Sequence, residues 1–95
     1  NSCMLALIVT DDGPAVCEAI DRAVDRGSTI LKAYGGYKQD RRDVVLCACS
    51  SKQLYEVEKL MRKLDPNSFM IMLQANEVQG EGFRRLVLGK EQKHR

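Results

Sequence analysis

The sequence predicts an α+β sandwich: a four-stranded antiparallel sheet with two helices on one of its faces. Three observations carry that prediction. The 95 residues suffice for one domain with a single two-layer core. Short apolar runs and helix-periodic segments alternate in the order β-α-β-β-α-β. Turn and capping residues fall between them.

Residues 4–10 (MLALIVT) form an apolar run of strand length. Asp11, Asp12, Gly13 and Pro14 then break the strand and start a helix. Asp12 or Gly13 can cap it, and Pro14 suits its first turn. Over residues 15–26, Val16, Cys17, Ile20, Ala23 and Val24 make one apolar stripe, and Gly27 is the expected stop. Residues 28–34 (STILKAY) read as the second strand. A loop over residues 33–43 leads to a third strand at residues 44–50 (VVLCACS). Ser50, with Gln53 three positions later, is a capping-box pattern. The helix that follows reaches about Leu64, with Leu54, Val57, Leu60, Met61 and Leu64 inward, and residues 65–67 stop it. Residues 68–74 (SFMIMLQ) form the fourth strand, and the chain then leaves through Gly80, Glu81, Gly82 and Phe83.

This order is that of the split βαβ, ferredoxin-like sandwich, in which the first and third strands lie in the middle. The domain is expected over residues 1–83, with a flexible basic tail at residues 84–95. A sheet with one wet face alternates apolar and polar residues. Residues 4–9, 44–49 and 69–73 are instead apolar at nearly every position. The face away from the helices would then be a large apolar patch, which monomers rarely expose. A homo-oligomer, or a partner covering that face, is the expectation.

Composition narrows the function classes. Apolar residues make up 44% and charged residues 29%, ordinary for a globular domain. No apolar run reaches 18 residues, and no signal segment opens the chain. Position 1 is Asn rather than Met, which points to a piece of a longer protein. The net charge of +2 divides unevenly. Residues 84–95 carry five basic residues against Glu91, and the body carries ten basic against twelve acidic. The body is therefore no nucleic-acid platform.

Catalysis is not expected, because the sole histidine is His94 in the tail and no nucleophile–base pair can be assembled. No cofactor motif is present: both G-x-x-x-x-G-K-[ST] and G-x-G-x-x-G are missing. Cys3, Cys17, Cys47 and Cys49 lack C-x-x-C spacing and read as reduced, buried thiols. Cys47 and Cys49 share one strand face, which leaves metal or redox sensing as a lesser alternative. The candidate binding residues lie in two glycine-containing segments. In the first, Gly35 and Gly36 let the backbone approach a ligand, Tyr34 and Tyr37 offer rings, and Lys38, Arg41 and Arg42 can pair with phosphate. The second is Gly80, Glu81 and Gly82, which could reach a neighbouring subunit's loop.

Arg26-Gly27-Ser28-Thr29-Ile30-Leu31, Gly35-Gly36-Tyr37, Asp65-Pro66 and Gly80-Glu81-Gly82-Phe83 together resemble the C-terminal cytosolic domain of bacterial YitT-type membrane proteins, a domain of unknown function. The resemblance covers residues 4–83 and implies an attached membrane segment, hence a place at the cytoplasmic face of the cell membrane. More distantly, the chain is similar to nitrogen-regulatory PII-like proteins. That similarity implies trimers that bind small anionic ligands, often nucleotides, between subunits. Carried over by position, it points to Gly35, Gly36 and Tyr37, with Arg41 and Arg42 as phosphate partners. The loop here is shorter than a full PII signalling loop. The leading expectation is a regulatory, ligand-sensing domain; the alternative is an oligomerisation module with no ligand.

Overall fold

The computed structural model describes residues 3–76. Six elements follow in the expected order: β1 (Cys3–Thr10), α1 (Gly13–Val24), β2 (Thr29–Tyr34), β3 (Arg41–Ser50), α2 (Ser51–Leu64) and β4 (Phe69–Ala75). The strands form one sheet in the order β2-β3-β1-β4, with every neighbouring pair antiparallel. β1 and β3 therefore occupy the middle, as the ferredoxin-like pattern requires. Gly80, Glu81, Gly82, Phe83 and the basic tail lie outside the described residues.

Local chemistry sets the helix ends. Asp12 caps α1, its carboxylate accepting from the Ala15 N–H at 3.2 Å. Ser50 and Gln53 complete the capping box at α2: Gln53 N–H donates to Ser50 Oγ at 3.2 Å and Ser50 N–H to Gln53 Oε1 at 2.9 Å. The Gln53 amide also donates to the Val24 carbonyl at 3.4 Å, tying the start of α2 to the end of α1.

Two boundaries differ from the sequence expectation by more than one residue. α1 ends at Val24, not at Gly27. Asp25 takes the left-handed conformation (φ 57°) and its N–H donates to the Asp21 carbonyl at 2.9 Å. Aspartate tolerates that region, so the helix stops two residues before the glycine. β3 begins at Arg41, three residues earlier than its apolar run, because pairing continues through Tyr34↔Arg41 and Thr10↔Asp43. Polar side chains do not end a ladder whose backbone partners are present. The β2–β3 loop is correspondingly shorter, residues 35–40.

Register sorts the side chains onto two faces, since paired residues on antiparallel strands share a side. Ala6 and Ile8 of β1, with Val45, Cys47 and Cys49 of β3, face the helices and are almost fully buried. They meet Val16 and Ile20 of α1, and Leu54, Val57 and Met61 of α2. The opposite face carries Leu5, Leu7 and Val9 of β1, and Val44, Leu46 and Ala48 of β3. Its edges add Leu31 from β2, and Phe69, Ile71 and Leu73 from β4. Leu31 is 48% exposed, Phe69 60% and Leu73 48%. The missing alternation is therefore real: both faces of the sheet are apolar, and among the described residues only one is covered by helices.

Candidate functional site

The candidate residues from Tyr34 to Arg42 lie at one end of the sandwich, where β1 and β2 end, β3 begins, α1 starts and α2 stops. Backbone bonds close the loop over residues 35–40: Gly35 N–H donates to the Asp40 carbonyl at 2.7 Å, and Gln39 N–H to the Gly35 carbonyl at 3.0 Å. Gln39 adopts φ 62°. A side chain on Gly35 would collide with the Asp40 carboxylate, whereas one on Gly36 would meet open space. Gly35 thus lets the exposed Asp40 carboxylate lie against the turn, while Gly36 leaves one side of the loop accessible. Tyr37 at the tip is 94% exposed and Tyr34 at its base 69%.

Arg41 and Arg42 belong to β3, not to the loop, and consecutive strand residues point to opposite faces. Arg41 lies on the helix side near Asp43, and Arg42 on the open side. Arg42 is partly buried and pairs with Asp11 at 3.2 Å and Asp40 at 3.8 Å. Its Nε–H points off line and makes no hydrogen bond among the described residues. One subunit therefore presents these two arginines separately, not as a clamp.

Sequence reasoning missed the most connected group at this end. Asp43 is buried and accepts from the Gly13 N–H at 2.8 Å and from Lys32 Nζ at 3.2 Å. The Gly13 bond, then that of Lys32, holds its carboxyl below the ordinary carboxylate value. A methyl group on Gly13 would come 2.7 Å from Asp43 Oδ2, so glycine is required for this close approach. The signal was available: Asp43 is the last acid before the apolar run, in register with the helix-facing Thr10. Thr10 in turn donates to Asp65 Oδ2 at 2.7 Å and accepts from the Asp12 N–H at 3.3 Å. These bonds join β1 to the end of α2 and the start of α1.

The lowered pKa of Asp43 fixes the sign of a pH effect. Its contribution is fully present above the unfolded carboxylate pKa of 3.8 and is lost as pH falls through the lower folded value. Urea midpoints of the natural chain are expected to exceed those of Asp43→Asn at neutral pH, with the gap narrowing below about pH 4. A gap that stays constant into acid would remove the carboxylate from this role.

A cleft of about 260 Å³ beside this group is lined by Thr10, Asp11, Asp12, Ala15, Val16, Leu64 and Asp65. Its three carboxylates repel anions, so any anion must approach from the loop and Arg42 side. Cys47 and Cys49 lie on one strand face, as their spacing predicts, and are buried in the core. Among the described residues, no three histidine, cysteine or acidic side chains cluster to hold a metal, and no helix is long and apolar enough to cross a membrane.

Known proteins agree with this architecture. A protein from Bacillus sp. (strain PS3), described only as uncharacterised, is 42% identical over 81 residues, covering 85% of this chain and 54% of its own. The UPF0750 membrane protein YvjA of Bacillus subtilis is 36% identical over 85 residues, covering 90% of this chain and 30% of its own. YitT of the same organism, another UPF0750 membrane protein, is 27% identical over 77 residues, or 28% of its length. The chain thus spans about half or less of these relatives. A crystal structure from Eubacterium ventriosum superposes with a TM-score of 0.65 at 27% identity, covering 77% of this chain and all of that one. It is described as an uncharacterised DUF2179 protein conserved in bacteria. A Thermus thermophilus protein described as PII-like and signalling shares the fold, with a TM-score of 0.60 at 16% identity over 78% of this chain and 88% of its own. The model of the uncharacterised bacterial family DUF2179 matches residues 26–80, more than half of the chain, and the protein belongs to that family, whose relatives here include YitT-type membrane proteins.

Proposed function

We propose that this domain is the self-assembling, ligand-sensing module of a membrane protein, held at the cytoplasmic face and without enzymatic activity. The observation that carries this reading is the apolar sheet face left open by the helices, with Leu31, Phe69 and Leu73 each about half exposed or more. A second copy covers such a face with matching chemistry, and a trimer is the favoured assembly. Assembly brings the loop ends of neighbouring subunits together. A small anionic ligand, a nucleotide among the candidates, binds there against Gly35, Gly36 and Tyr37, with Lys38, Arg41 and Arg42 supplied from the assembled subunits. Gly80, Glu81 and Gly82 of a neighbour complete the site.

The Arg42 Nε–H without a hydrogen bond supports the anion reading, since an oxyanion can take that donor from the poorly aligned Asp11 pair. Binding would displace Asp11 and Asp40 from Arg42, order the loop and bias its contact with the membrane part. A thermal-shift screen against nucleotides, cyclic dinucleotides, phosphates and divalent metals tests this. A ligand at 100 times its Kd stabilises by about 2.7 kcal/mol. Arg41→Ala with Arg42→Ala is expected to abolish that shift while lowering stability by no more than about 1 kcal/mol. A shift that survives the double substitution removes both arginines from the site. The second reading, an assembly module with no ligand, is favoured by the carboxylates already beside Arg42. It predicts a stable oligomer whose melting point no compound moves.

A further inference from the structure

The outward side of α2 carries chemistry that neither the open sheet face nor the loop uses. Lys52, Lys59 and Lys63 are exposed and spaced seven and four residues apart. At 3.6 residues per turn they fall on one line of the helix, opposite the buried Leu54, Val57 and Met61. Tyr55 and Arg62 stand on one flank of that line and Glu56 on the other. Arg62 is paired with Glu58 at 3.2 Å, and Glu56 reaches Lys59 only at 4.0 Å. Lys52 and Lys63 carry no ion pair among the described residues. Lys52 also stands in the first turn of α2, which holds no acidic residue and where the helix dipole favours an anion. Tyr55 is 58% exposed, with Lys59 Nζ 5.4 Å from its ring centre. Beside the lysines lies an open groove of about 270 Å³, lined by Ala23 of α1 and by Glu56, Lys59, Leu60 and Lys63 of α2.

We propose that this side of α2 docks on the anionic headgroups of a phospholipid bilayer, with the three lysines on lipid phosphates and Tyr55 at the level of the interface. The line of lysines matches such a surface in charge, and each lysine keeps its ammonium wet while its stem lies along apolar groups. Tyrosine favours the boundary between water and hydrocarbon because one end of it is polar and the rest is not. The groove with Ala23 and Leu60 beside Lys59 and Lys63 offers the same pairing of charge and apolar surface. This docking rests on the membrane-attached reading above: UPF0750 relatives are membrane proteins of which the chain spans 30% or less. Attachment supplies a high effective concentration, so a weak contact suffices. The helices cover the sheet face opposite the one assigned to assembly, so the two contacts use separate surfaces.

The test is binding of the 95-residue chain to vesicles of mixed phosphatidylglycerol and phosphatidylcholine, compared with phosphatidylcholine alone. Binding is expected to the mixed vesicles only. A lysine near an anionic surface is worth roughly fivefold in binding, so Lys52→Gln, Lys59→Gln and Lys63→Gln together are expected to weaken it about a hundredfold. All three side chains are exposed and glutamine suits a helix, so the variant is expected to fold. The basic residues 84–95 are the same in both chains, so attachment through them alone gives equal binding and overturns the proposal. Tyr55→Trp adds an indole to a chain with no tryptophan. Its emission is expected to shift to the blue on the mixed vesicles. An unshifted emission from bound chain, or a natural chain that does not bind the mixed vesicles, would each overturn the docking face. Assembly and ligand-induced melting shifts are read without vesicles, so a failure of the reading above shows separately.

Discussion

A chain carrying both Leu7→Lys and Leu46→Lys is expected to fold but remain monomeric. Leu7 and Leu46 are cross-strand partners on the two central strands, on the face without helices. In an isolated subunit that face meets water. A lysine there keeps its ammonium solvated while its stem covers neighbouring apolar surface, so little stability is lost. In an assembly the same two positions lie at the middle of the buried contact. Each ammonium must then lose water without a counter-charge, and like charges from the facing copy add repulsion. A penalty of about 4 kcal/mol raises the dissociation constant roughly a thousandfold. Sedimentation velocity at matched concentrations reads the outcome, with circular dichroism reporting the fold. Tyr55→Lys, on the exposed side of α2, serves as the control and is expected to leave assembly unchanged. An assembled natural chain whose double variant stays assembled would show that this face is not the contact.

The fold was legible because each of its signals is local or strictly periodic. The Ser50–Gln53 capping box, Asp12 before Pro14 and the inward stripe of Leu54, Val57 and Met61 all operate within a few residues of sequence. The unbroken apolar strands also meant that both faces of the sheet would be apolar, and the register places apolar side chains on both. Boundaries were less legible. Asp25 closed α1 through a left-handed turn that Gly27 seemed better suited to make, because residue preference does not reveal where the Asp21 carbonyl needs its donor. Arg41 and Arg42 read as loop because they are charged, yet the backbone of β2 and β1 extends far enough to pair with them.

The site was harder to read because its geometry is made by long-range pairing. Nothing near Gly13 in the sequence announces Asp43, thirty residues away, yet the two are joined by a buried 2.8 Å bond. Arg42 meets Asp11 only because β1 and β3 are neighbours in the sheet. The splitting of Arg41 and Arg42 onto two faces follows from strand parity once β3 is known to start at Arg41. That parity also requires an anion contacting both arginines to recruit them from different subunits.

Ile8→Ala is the substitution with the largest expected loss of stability, and its neighbour Val9 makes it diagnostic. Ile8 is fully buried between Val45 and Met70 of the flanking strands, under the helix layer. Truncating such a side chain removes its transfer free energy and leaves a cavity, at about 2–5 kcal/mol. Total stability for a domain is about 5–15 kcal/mol, so a melting point lower by on the order of 10–20 °C is expected. Val9→Ala, one residue along, removes apolar surface from the open face instead. In the proposed assembly its effect runs through the contact between copies and so depends on protein concentration by mass action. On dilution to the monomer, the Val9→Ala deficit is expected to shrink towards a small residual, while the Ile8→Ala deficit persists. Melting curves of both variants across a hundredfold concentration range separate the two faces of one strand. Equal, concentration-independent deficits at both positions would mean that the face away from the helices is not covered by another copy of the chain.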